Sequence, residues 1–158
     1  MLFLLAILQV TVMPHLTVAH VQPDLILAVT VCWALFRGPT EGAVLGFLGG
    51  IALDLFSGAP FGMHTFVMTG VGAVAGFAAA LIPREQWALL PGTVLACTVF
   101  QQAACVWLLQ ARGWPLEWSQ VLVSTVIPAA LLNLLLSVLL YPPVGAVHRW
   151  TGPEELGW

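Results

Sequence analysis

Apolar residues run along this chain in long continuous blocks, and the polar residues fall between the blocks. No Asp, Glu, Lys or Arg occurs within residues 1–23, 56–83, 86–111 or 118–148. Each run is long enough for a helix that crosses a bilayer, which takes roughly 20 residues. Residues 24–57 are cut by Arg37-Gly38-Pro39-Thr40-Glu41 into two apolar pieces, 25–36 and 42–55, each near the lower length limit for a span. The pattern predicts an all-α bundle of six transmembrane helices at about 2–18, 23–37, 41–56, 61–82, 86–111 and 119–141, forming one transmembrane domain over 1–158 with a short tail. A re-entrant pair over 23–56 is the alternative to two full spans. Continuous runs exclude a barrel, whose strands alternate.

Composition agrees with the pattern. Among 158 residues 60% are hydrophobic and 7% charged, and mean hydropathy is +1.00. Soluble domains carry about a quarter charged residues. Four cations, all Arg, against seven acids give a net charge of −3. A nucleic-acid binder is excluded for want of a basic stripe, and a disordered chain for want of polarity. Residues 1–19 lack a cationic start and a clear cleavage site, so they read as a retained first helix rather than a signal peptide, with Pro14 accommodated near its end. Six spans with the N-terminus inside place Arg37, Arg84 and Arg149 in the cytoplasm and Arg112 outside, as the positive-inside rule prefers. Trp33 and Trp87 then lie near the inner interface, Trp107, Trp114 and Trp118 near the outer, and Trp150 just after the last span.

Local signals place the turns and the packing. Arg37 closes one helix at its negative end and Glu41 opens the next at its positive end, with Gly38-Pro39 between them. Gly42, Gly46 and Gly50 recur every four residues, and Gly72 with Gly76 repeats the spacing. Such residues let helix backbones approach closely, within the bundle or against a partner helix. Asp54 continues the same series at the wrong end of its own helix dipole, so it needs a partner. Three readings are open: stapling the turn 57–62 through backbone amides, pairing with Arg112, or binding a ligand or proton.

Candidate chemistry is sparse. Asp54, Ser57 and His64 are the residue types of a hydrolase triad, but no Gly-x-Ser-x-Gly elbow surrounds Ser57 and no oxyanion hole is evident. Cys32, Cys97 and Cys105 have no metal-like spacing. Cys97 and Cys105 lie about 12 Å apart along one predicted helix, too far to bridge. His15, His20 and His148 read as interfacial. Gln101, Gln102 and Asn133 lie inside spans, where they hydrogen-bond across helices or line a polar cavity with Arg112 and His64 as further candidates. Pro128 predicts a kink in the last span. No metal or cofactor is expected.

The segments Pro23-Asp24-Leu25, Arg37-Gly38-Pro39-Thr40-Glu41-Gly42, Gly46-Phe47-Leu48-Gly49-Gly50 and Asp54-Leu55-Phe56-Ser57-Gly58-Ala59-Pro60-Phe61-Gly62 together resemble the MreD family of bacterial rod shape-determining membrane proteins. The likeness is specific over about 22–64 and compositional over the last ninety residues. Asp24, Arg37, Gly42, Gly46, Gly50, Asp54, Ser57, Pro60 and Gly62 match the family pattern as motif positions, and Glu41 falls within the quoted turn. The resemblance implies a non-enzymatic subunit of the cell-wall elongation (Rod) complex that associates with MreC. Through it the subunit acts with RodA, a transpeptidase penicillin-binding protein and the filament MreB in peptidoglycan synthesis. It also implies a fold similar to the six-helix substrate-binding S components of vitamin transporters.

Two functions follow for testing. A scaffold subunit in the bacterial plasma membrane, with both termini cytoplasmic, would dock partner helices on a face of small and aromatic residues. A vitamin-like binding subunit would instead need an outward pocket with converging polar groups, for which His20, Gln22, Asp24, Arg112 and Glu117 are the supply.

Overall fold

The computed structural model describes residues 24–56, 61–82, 89–111, 113 and 125–151. These form five helices: α1 (Leu25–Arg37), α2 (Pro39–Phe56), α3 (Met63–Leu81), α4 (Leu89–Ala111) and α5 (Ile127–Thr151). No strand occurs among the described residues. The expected helix at 2–18 lies outside them, as do Arg84, Arg112, Ser57 and Pro60. Helices α2 to α5 are each long and apolar enough to cross a membrane. Helix α1 is not: its 13 residues rise about 20 Å, against a hydrocarbon core of roughly 30 Å.

Helix α1 is short because it is central. Ten of its 13 residues are buried, from Leu25 to Leu35 with only Trp33 left out, and α2, α3, α4 and α5 all pack on it. Its neighbours supply the apolar core at Leu53, Met68, Val71, Val94 and Cys97. Gly38 ends the helix with φ 91°, its amide donating to the Ala34 carbonyl at 2.8 Å. Pro39 then starts α2, where a missing amide costs nothing.

The tightest packing joins α2 to α3, antiparallel. A Cβ on Gly46 would strike the Met68 carbonyl, one on Gly50 the Thr65 backbone, and one on Gly76 Pro39. Gly42 and Gly72 face each other so closely that a Cβ on either meets the other's carbonyl oxygen. The glycine series on both helices is therefore spent inside the bundle, chiefly on this interface, with Gly42 also against Ala34 of α1. Lipid offers no hydrophobic drive for association, and close backbone contact takes its place.

Helix α5 corrects two expectations. It runs to Thr151 rather than stopping near 141, and it carries Pro142 and Pro143 inside it. Two successive prolines read as a stop, yet the turns beyond them are held by tertiary contact: Gly145 abuts the Phe36 ring and His148 reaches Arg37. Trp150 accordingly lies on the helix, not after it, and is almost fully exposed. Pro128 lies in the first turn of α5, just after the π-helical residues Thr125 and Val126. Ala129, Ala130, Asn133 and Ser137 form the buried stripe of α5, continued by Val126 just before it, while Ile127, Leu131, Leu135 and Leu139 point outward.

Candidate functional site: two capped carboxylates and a lateral groove

Asp54 is buried near the end of α2, its side chain fully enclosed. Its Oδ2 accepts from the Gly62 amide at 2.9 Å, the Thr65 amide at 3.0 Å and the Thr65 hydroxyl at 2.6 Å. Its Oδ1 accepts from the His64 amide at 2.9 Å and lies 3.0 Å from His64 Nδ1. Gly62, with φ 93°, is the N-cap residue of α3 and has no side chain to cap it. Asp54 therefore caps α3 from the preceding helix. Its position at the negative end of α2 is offset because the same carboxylate faces the positive end of α3. Of the turn 57–62, Gly62 donates to this carboxylate, while the other donors, His64 and Thr65, belong to α3, and Thr65 is a partner that sequence reasoning did not include; residues 57–60 and Arg112 lie outside the described residues. His64 is drawn to Asp54 as triad logic expected, but its ring bonds a carboxylate whose other bonds all go to a helix start.

Asp24 caps its own helix, α1. As N-cap residue it accepts from the Leu27 amide at 3.0 Å through Oδ1, and from Gln101 Nε2 at 2.6 Å through Oδ2. Its own amide donates to Asn133 Oδ1 at 2.8 Å, and Asn133 Nδ2 donates to Thr98 Oγ1 at 3.3 Å. This network ties α1, α4 and α5 together about 20 Å along α1 from Arg37. Gln101 and Asn133 spend their amides across helices, whereas Gln102 is half-buried and outside the network. Among the described residues no group of three His, Cys, Asp or Glu could hold a metal. Cys32 and Cys97 are buried free thiols whose sulfurs approach the Ser137 and Val71 carbonyls, and Cys105 is half-buried.

At the opposite end, Arg37 Nε donates to His148 Nδ1 at 2.9 Å, and its NH1 lies 3.4 Å from Glu41 Oε1. The guanidinium also stacks over Trp33, and Phe36 stacks on both Tyr141 and His148.

A lateral groove of about 500 Å³ lies on the α2–α3–α4 face. Gly62, Thr65, Thr69, Gly70 and Ala73 of α3 form its floor, and Phe47, Phe66 and Phe100 its walls. Its lining is almost wholly apolar. The floor recurs every three or four residues, a signal present in the sequence but masked there by the stronger glycine series.

Packed apolar helices whose acids cap helix starts, with an apolar side groove, define a polytopic membrane protein. The chain belongs to the MreD family: the family model for rod shape-determining protein MreD matches residues 1–150. It is a membrane protein of the shape-determining machinery, in a family not known for enzymes. No curated protein and no solved structure matches the chain.

Proposed function

We propose that the chain is a membrane scaffold of the cell-wall elongation complex, and that its α2–α3–α4 groove receives the transmembrane helix of MreC. The groove carries this reading. Small residues along α3 permit close approach of a helix backbone, and Phe66, 71% exposed, stands beside them as an anchor, aromatics being enriched at interfaces. Seating MreC there would favour one arrangement of that partner and so bias RodA and the transpeptidase penicillin-binding protein indirectly, with MreB on the cytoplasmic side. The proposed setting is the bacterial plasma membrane, with both termini cytoplasmic. In support, the Arg37–His148 contact brings Arg37 and the Arg149 end of α5 to one side of the bundle, as a positive-inside arrangement requires.

The test fills the groove in one variant and removes a wall of it in the other, without touching the glycine interface. Ala73→Leu and Phe66→Ala, each introduced into the full chain, should leave expression and thermal unfolding near wild type. Recovery of MreC on co-purification should fall about tenfold, equivalent to about 1.4 kcal/mol. Undiminished MreC recovery with both variants would overturn the groove as its seat.

A further inference from the structure

We propose that Asp54 positions the floor of the groove for an apolar occupant, acting through the two-sided side chain of Thr65. The proposal rests on the reading of the groove as the seat of MreC. Thr65 lines the groove from α3 and is tied at its back to α2. Its hydroxyl donates to Asp54 Oδ2 at 2.6 Å, and its amide donates to the same oxygen at 3.0 Å. A hydroxyl has one proton to give, and this one is spent away from the groove. Elsewhere in helices a threonine divides between two rotamers, because its oxygen can also bond a carbonyl one turn back. Asp54 removes that choice. Thr65 then meets the groove through carbon, in keeping with the almost wholly apolar lining.

The same oxygen sets the end of the floor. Gly62 also lines the groove, and its amide donates to Asp54 Oδ2 at 2.9 Å. Asp54 is outside the lining and its side chain is enclosed, so it acts on an occupant through these two residues. Thr69, one turn along, is turned inward by a different acceptor, the Thr65 carbonyl at 2.6 Å. Thr65 and Thr69 are the hydroxyl-bearing residues of the lining, and both protons are committed within the protein. An acceptor laid against this floor would find no free hydroxyl donor, and a polar group left unpaired there is costly. The seat therefore takes a helix face of aliphatic or small residues at the level of Thr65 and Thr69. It disfavours one with a carboxylate or amide there.

Two substitutions at Thr65 separate its two sides. Thr65→Ser keeps the hydroxyl and deletes the methyl, whereas Thr65→Val keeps carbon toward the groove and deletes the hydroxyl. Each is introduced into the full chain, with MreC recovery measured per folded chain and the unfolding midpoint read on the same preparation. The two readouts should rank the variants in opposite orders. Thr65→Ser should lose several-fold more MreC than Thr65→Val, and Thr65→Val should lose more of the midpoint. The same order in both readouts would overturn the proposal.

Asp54 itself is tested by coupling. Asp54→Asn should lower MreC recovery several-fold with Thr65 in place, and by clearly less in the Thr65→Val background, although the midpoint falls in both. Equal losses of MreC in the two backgrounds would show a merely structural Asp54 and overturn its positioning role. Should Asp54→Asn fail to fold, the rank order of the Thr65 pair decides. Either adverse result alongside loss of MreC in Ala73→Leu leaves the seat standing and removes only this inference. Undiminished recovery in Ala73→Leu, Phe66→Ala and both Thr65 variants removes the seat and the inference together.

Discussion

Asp54 shows how one carboxylate can be stable at membrane depth. The start of α3 aims three amides and one hydroxyl at it, and the His64 ring lies beside them. Hydrogen bonds to a charged group contribute about 1.5–3 kcal/mol each when a partner is deleted. Asp54→Asn keeps the size but turns one oxygen into a donor, which opposes at least one of the donors it faces. The expected loss is about 2–4 kcal/mol, read as a clear drop in the midpoint of thermal unfolding. His64→Ala keeps the backbone amide and loses only the ring, so it should cost about 1.5 kcal/mol, the low end for one such bond. A His64 variant as damaging as Asp54→Asn would show that the ring, not the helix start, holds the carboxylate. The acid itself was conspicuous in the sequence. Its partners were not, because Thr65 and the Gly62 amide reach it only once the chain has turned back, and turn geometry is not written in residue type.

At the scale of elements, the α2–α3 hairpin is held by glycines whose missing side chains leave room for backbone. Gly46 faces the Met68 carbonyl, which cannot swing aside as a flexible side chain would. Gly46→Ala should therefore separate the helices and cost about 1–3 kcal/mol, as overpacking does, despite the better helix propensity of alanine. Gly92 on α4 is the control, since nothing lies within 4 Å of an added Cβ there. Gly92→Ala should stabilise by about 0.5–1 kcal/mol, and unfolding midpoints of the two variants should move in opposite directions. Helix starts and stops were legible to within two or three residues wherever charge or Gly-Pro marked them, as at Arg37, Pro39 and Phe56. The end of α5 was not. A proline pair is a strong local stop, and the force that overrides it comes from Phe36 and Arg37, a hundred residues earlier in the chain.

Over the whole molecule, every described charge complements a helix end. Asp24 caps α1, Glu41 lies in the first turn of α2 and Asp54 caps α3. Arg37 and Arg149 lie in the last turns of α1 and α5. Scarce charge therefore does architectural work, which leaves the lateral faces as the part free to differ. They do differ. Over residues 127–139 the exposed face of α5 is aliphatic, with Ile127, Leu131, Leu135 and Leu139, as suits contact with acyl chains. The α2–α3–α4 face is aromatic and grooved, with Phe47, Phe66 and Phe100 around small residues. Bulk placed on each face should separate lipid contact from partner contact. Leu131→Trp and Leu135→Trp add surface where fluid chains can yield, so folding and MreC recovery should stay near wild type. Thr69→Trp places the same bulk on the groove floor, and it should lower MreC recovery with the unfolding midpoint little changed. Loss of MreC from the α5 variants, with retention in Thr69→Trp, would move the partner face to the opposite side of the bundle.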